Sequence, residues 1–172
     1  MPPRDGFSYQ WHWLRDDMTA ASGDEPAWAE GEERSIGGRE KIKLCSWGYH
    51  ASPTPWAAFG YATGNVLCLV EVSEPVDQDA TKMVCKTRKL LRAINVKDEL
   101  RRFACDIAEE LLAREREQGR EPDPRSWGAI TVTRRHISGD ATDQEFAAAW
   151  AAARDAAGDA AGAAAGDAAW AV

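Results

Sequence analysis

Residues 65–73 read Asn-Val-Leu-Cys-Leu-Val-Glu-Val-Ser, NVLCLVEVS, the most strand-like run in the chain. From Val66 to Val70 the apolar side chains are uninterrupted, so both faces of an extended segment would be apolar. That pattern predicts a strand at the centre of a sheet. Upstream, residues 7–14 (FSYQWHWL) alternate: Phe7, Tyr9, Trp11 and Trp13 share one face, and Ser8, Gln10 and His12 the other, as in a half-buried strand. Between them, Arg15 to Glu40 is acidic and punctuated by Gly23, Pro26, Gly31 and Gly37-Gly38, a long excursion of the kind that carries function. Lys41 to Cys45 alternates briefly and predicts a short strand. Thr54 followed by Pro55 is a helix start, N-cap then first-turn proline, for a short helix ending near Tyr61 or Gly64.

Downstream, Met83, Cys85, Thr87 and Lys89 alternate weakly and suggest a strand within residues 81–94. Leu100, Phe103, Ala104, Ile107, Ala108, Leu111 and Leu112 follow helical spacing across residues 97–118, with Gly119 as a stop and Pro122 and Pro124 beyond it. Trp127 to Thr133 (WGAITVT) reads as one more strand. Thr142 and Glu145 form a capping box that opens a last helix. The expected fold class is therefore α+β: a small mixed or antiparallel sheet with two or three helices and a C-terminal alanine-rich helical tail. The expected division is a single α+β domain over residues 1–139 and an Ala/Gly/Asp-rich tail over 140–172.

Composition supports a core and limits the partners. The chain has 172 residues, 44% apolar, with a formal net charge of −7. Of its 31 alanines, 16 fall in the last 26 positions. The tail from Asp140 holds one arginine and six acids, so most of the negative charge is its own and the rest of the chain is nearly neutral. Between Lys82 and Arg102, eight basic residues stand against Asp98 and Glu99. That segment keeps nucleic acid open as a partner, although overall acidity disfavours it, and pairing with the acidic excursion at 16–40 is the commoner outcome. No run of eighteen uncharged apolar residues exists, so no membrane span is expected. The start, MPPRDGFSYQ, lacks an apolar h-region, so no secretory signal and a cytoplasmic location are expected. Cys45, Cys68, Cys85 and Cys105 stand singly beside apolar neighbours and read as buried thiols; with three histidines and no C-x-x-C pair, no metal site is expected. In the tail, Gly158, Gly162 and Gly166 recur every fourth residue beside Asp155, Asp159 and Asp167. It is either a frayed alanine-biased extension or a helix docked through Trp150 and Trp170 on its own domain or on a partner, and the second option would allow an oligomer.

The P-loop, dinucleotide, zinc-protease and nucleophile-elbow motifs are all absent. The segment that stands out is Cys45-Ser-Trp-Gly-Tyr-His-Ala-Ser52, followed by Tyr61-Ala62 and the 65–73 strand. It would place His50 at a strand-edge cleft; the plainer alternative is a structural histidine beside a turn. His12, facing away from the aromatic stripe, reads as a surface or hydrogen-bonded spacer unless it joins that cleft. His136, after Arg134-Arg135, reads as an exposed loop residue.

These stretches resemble a family of uncharacterised domains found in phages, prophages and actinobacteria. The resemblance rests on His12-Trp13-Leu14, a C-x-x-G-L-H-A-S-like core from Cys45 through Ala62, Val66 to Glu71, Lys82 to Leu91, Leu100 to Ala104, and the alanine-rich tail. Tyr49 stands where that pattern has leucine, and His12 where it has lysine. The likeness implies an accessory protein, cytoplasmic in the host if phage-encoded, that binds a host or phage protein, for instance as a counter-defence inhibitor, and that needs no cofactor. Eight tryptophans supply anchors for such an interface. A more distant likeness to ADP-ribosyltransferases implies the alternative, an enzyme using NAD in the His50 cleft. There Gly48, His50, Ser52 and Tyr61 would line a nicotinamide pocket and His12 would hold a ribose, making His50, Tyr61 and His12 the candidate catalytic residues. Residues 128–138 contain no acid, so the likeness assigns no catalytic glutamate.

Overall fold

The computed structural model describes residues 2–22, 24–38 and 42–170. It is an α+β fold, with antiparallel sheets of four and three strands and four helices. Packing divides the chain into two compact units, Met1–Lys97 and Asp98–Val172. This division falls elsewhere than the 139/140 boundary read from composition.

In the first unit the larger sheet has the order β1 (Phe7–Leu14), β4 (Val66–Ser73), β7 (Thr87–Asn95), β2 (Glu33–Ser35). β4 is central, paired antiparallel to β1 from Phe7↔Ser73 to Leu14↔Val66 and to β7 on its other side. It holds the central place expected, with Cys68 and Val72 sealed from solvent while Leu67 and Leu69 on the other face are half-buried. Register then fixes which side chains share the core face. Val66, Cys68, Val70 and Val72 stand beside Leu14, His12, Gln10 and Ser8 on β1. On β7 the neighbours are Ala93, Leu90 and Arg88, after a bulge that skips Leu91 opposite Leu69/Val70. The polar face of β1 therefore turns inward, and His12 is not a surface spacer. The aromatic face is covered only in part, where Trp13 meets Phe59 at 5.5 Å between ring centroids.

The smaller sheet runs β3 (Tyr49–Ala51), β6 (Met83–Cys85), β5 (Pro75–Gln78). It joins the larger sheet through paired backbone bonds between Trp11 and Ser52, at 2.9 and 2.8 Å. The weakly alternating stretch at 81–94 is thus two strands, β6 and β7, in different sheets. The short helix α1 (Pro55–Phe59) starts as expected, Thr54 Oγ1 accepting from Ala57 N, and stops earlier, at Gly60. Residues 42–45 are not a strand. Lys43 and Trp47 close a tight turn on each other, and Cys45 at its tip takes a left-handed φ of 61°. Lys41 lies outside the described residues. That turn also leaves Cys45 exposed, against the expectation of four buried thiols; Cys68, Cys85 and Cys105 are buried. Within the long acidic excursion the only strand among the described residues is β2. Gly23 and Glu40 lie outside the described residues.

The second unit is helical: α2 (Lys97–Glu117), α3 (Pro124–Ile137) and α4 (Asp143–Trp170). The expected strand at Trp127–Thr133 is helix. Asp123 caps it by accepting from Arg125 N at 2.8 Å, and Pro124 occupies the first turn. The Thr131 and Thr133 hydroxyls bond back to the carbonyls of Trp127 and Ala129, at 3.1 and 2.7 Å, so the β-branched residues satisfy themselves along the helix. His136 lies in α3, not in a loop, its Nε2 2.8 Å from Asp143 Oδ1. The capping box forms, Thr142 N donating to Glu145 and Glu145 N to Thr142. α4 packs on α3 through Phe146, against the His136 ring at 4.8 Å, and through Trp150, whose Nε1 donates to Thr133 Oγ1 at 3.2 Å. Added Cβ atoms at Gly158 and Gly162 would meet nothing within 4 Å. The side chains of Gly166, Asp167 and Trp170 lie outside the described residues. No helix among the described residues is long and apolar enough to cross a membrane.

A chain ending at Gly139 would uncover Ile130 and Thr133, which are buried in the full chain. We expect the α3 amides to lose hydrogen-exchange protection in that variant. Unchanged protection would mean that α4 contributes nothing to the unit.

Candidate functional site

Because the core face of the larger sheet carries His12 and Arg88, the interior of the first unit is not wholly apolar. His50 on β3 faces the same space. Together with Gly48, Ser52 and Tyr61 they line one cavity of about 810 Å³. All five residues picked from the sequence, His12, Gly48, His50, Ser52 and Tyr61, are thus brought together. Trp11, Trp13 and Trp47 add aromatic wall, and Cys45, Lys82, Asp24 and Glu25 add polar groups.

Each is held by identifiable contacts. Gly48 has a φ of +132°, and a Cβ there would overlap Val84 Cγ2, so only glycine lets the chain pass between the turn and β6. His50 Nε2 accepts the Cys45 backbone N–H at 3.1 Å, which puts the proton of the neutral ring on Nδ1 and occupies its acceptor nitrogen. Burial, with Lys82 and Arg88 nearby, holds His50 below its ordinary pKa against an opposing bond from Gly48. Burial pushes His12 well below its ordinary value of 6.5, helped by the Arg88 and His50 charges. Its Nε2 is buried with no hydrogen-bond partner among the described residues. Ser52 is buried, its backbone tied to Trp11. Tyr61 is more exposed: its hydroxyl meets Thr81 Oγ1 at 2.9 Å, and Lys82 Nζ lies 4.4 Å from the ring centroid.

The group that sequence reading missed is Arg88. It is 3% exposed, and burial brings its pKa down to about 10. Nη1 donates to the His50 carbonyl at 3.0 Å. The guanidinium lies 4.5 Å from the Trp28 ring and 5.1 Å from that of Tyr49. In sequence it is one of eight cations in a basic segment; only the register Val72↔Arg88 shows that it points inward.

Residues 9–102 match the model of a family described as a domain of unknown function, DUF7666. The chain belongs to this family. No curated protein and no solved structure matches it. The DUF7666 match runs from β1 to the first turns of α2, and so contains every cavity residue named above. Glu71, the acid of the central strand, does not line the cavity; its carboxylate accepts from Arg4 N and Nε at 3.0 and 2.7 Å. Among the described residues no His/Cys/Asp/Glu cluster is arranged to hold a metal ion.

Two outcomes follow from this geometry. Gly48→Ala should cost about 2–4 kcal/mol, from strain at positive φ plus the overlap with Val84, read as a lower urea midpoint. His12 gives a pH dependence with a definite sign. Its pKa is lower folded than unfolded, so its contribution is intact above 6.5 and is lost as pH falls below that value, where the unfolded chain takes up the proton first. The urea midpoint should fall between about pH 7 and about pH 5, and His12→Gln should flatten that slope.

Proposed function

We propose that the first unit is a ligand-binding domain whose cavity takes NAD or a closely related nucleotide. The observation that carries this is the convergence of Gly48, His50, Ser52, Tyr61 and His12 on one cavity of about 810 Å³, within the size range of small-molecule sites. Tryptophan and tyrosine walls suit a planar ring. The resemblance to ADP-ribosyltransferases implies nicotinamide against Tyr61 and a ribose near His12. Binding is the activity proposed. His50 has its ring acceptor engaged by Cys45 N–H, and of the acids that line the cavity Glu25 stands 3.5 Å from Arg34. No group is therefore assigned to stabilise an oxocarbenium ion, and no transfer step is derived.

A titration of NAD followed by tryptophan fluorescence tests this, since Trp11, Trp13 and Trp47 all line the cavity. Saturable quenching, weakened by Tyr61→Ala, is expected. No response at about millimolar NAD, the weak end of the affinity scale, would overturn it.

One observation favours a second reading, an accessory protein of a phage or prophage that binds a host or phage protein. Trp47 and Trp56 are 53% and 73% exposed, and Trp56 stacks on half-exposed Phe59 at 5.9 Å. Exposed tryptophans of this kind act as interface anchors. Under this reading Trp56→Ala abolishes recovery of a stoichiometric partner that the unaltered chain retains; equal recovery by both chains would count against it.

A further inference from the structure

Arg34 on β2 and Arg88 on β7 stand directly opposite each other, a like-charge pairing that costs stability unless each is compensated. Arg34 is compensated: Glu32 lies at 2.7 Å and Glu25 at 3.5 Å. Arg88 is not. Among the described residues no carboxylate comes within ion-pair distance of it, although it is far the more buried of the two. Taking a guanidinium out of water without a partner is expensive, and such a charge is ordinarily paired.

Its contacts also define which edge is unused. Nη1 is fixed by the His50 carbonyl, and the Trp28 and Tyr49 rings take up contacts with the guanidinium carbon. Neither kind of contact uses Nε–H or the Nη2 hydrogens. Those two nitrogens form the side-on fork of an arginine, the geometry that receives two oxygens of one oxyanion. Both lack a hydrogen bond among the described residues, and Arg88 lines the cavity. A purely structural role, stapling Trp28 to the sheet, would account for the ring contacts and leave the fork unmet.

We propose that the Nε–Nη2 edge of Arg88 is the seat of an oxyanion, and that the ligand of this cavity is a small molecule carrying a phosphate or carboxylate group. This rests on the reading of the cavity as a ligand site, but not on NAD as the ligand. Lys82 at the Tyr61 side is a second cation along the same wall. Asp24 and Glu25 face the same space, and Glu25, whose charge acts on Arg88, opposes an anion there, so an oxyanion needs both hydrogen bonds of the fork to hold.

The test follows the Arg88 Nε–H resonance in proton–nitrogen NMR of the full chain, assigned by its loss in Arg88→Lys. Inorganic pyrophosphate, benzoate, ADP-ribose and NAD are titrated separately at ionic strength matched with sodium chloride, which removes general screening. A saturable shift of that resonance with pyrophosphate or benzoate is expected, and the one that acts identifies the oxyanion. Arg88→Lys, which keeps the charge and loses the fork, should weaken binding roughly ten- to hundredfold, the range for a charge-assisted bond. Should that variant not fold, the shift in the unaltered chain decides alone. An Arg88 resonance unmoved by all four probes overturns the proposal. If NAD fails while pyrophosphate or benzoate shifts the resonance, the nucleotide reading falls and the oxyanion seat stands. If NAD quenches tryptophan fluorescence while none of the four probes moves Arg88 Nε–H, the reverse holds.

Discussion

Everything in the first unit hangs on the antiparallel pairing of β4 with β1 on one side and β7 on the other. Because side chains on opposed residues share a face, this pairing alone commits His12 and Arg88 to the same side as Val66, Cys68, Val70 and Val72. A core built that way has an apolar floor and two ionisable groups standing on it. The second sheet, tied to the first through Trp11 and Ser52, then supplies His50 and Gly48 from above. The cavity is thus what remains where the polar side chains of the two sheets prevent close packing.

The acidic excursion after β1 is a participant in this arrangement. Glu30 accepts from Ala93 N at 2.8 Å and meets Arg92 at 3.1 Å, while Trp28 is buried under the guanidinium of Arg34 at 4.0 Å. Part of the basic stretch from Lys82 to Arg102 is paired within the chain. Arg92 pairs with Glu30, Arg101 with Asp98, Arg102 with Glu99, and Lys82 lies over Tyr61.

The elements whose signals are local were legible in the sequence. β4 announced itself by an apolar run, α1 by Thr54-Pro55, α2 by its spacing, and α4 by the Thr142/Glu145 box. The motif from Cys45 to Ser52 with Tyr61 identified one side of the cavity. Less legible were features fixed by distant partners. WGAITVT has the composition of a strand, and it is helical because Asp123-Pro124 starts a helix and Ala129, Ile130 and Thr133 find cover in its unit. β2 is three polar residues whose only strand signal is β7 opposite. Arg88 is hidden among like charges, and the polar face of β1 that carries His12 reads as the solvent side because four aromatics stand opposite it. Trp13 does find cover against Phe59, yet Leu14 and His12 are the residues that meet the core.

The bulge between β4 and β7 carries a consequence of parity. Ahead of it Cys68 stands opposite Ala93; beyond it Val70 stands opposite Leu90 and Val72 opposite Arg88, with Leu91 passed over. In an unbroken ladder the inward positions would fall on Leu91 and Lys89, and Arg88 would point to the other side. A single surplus residue therefore selects which of two neighbouring cations enters the interior, and it selects the one with a planar, divided head group over the one with a single ammonium. The chemistry available at the bottom of the cavity is in this sense a matter of counting along a strand.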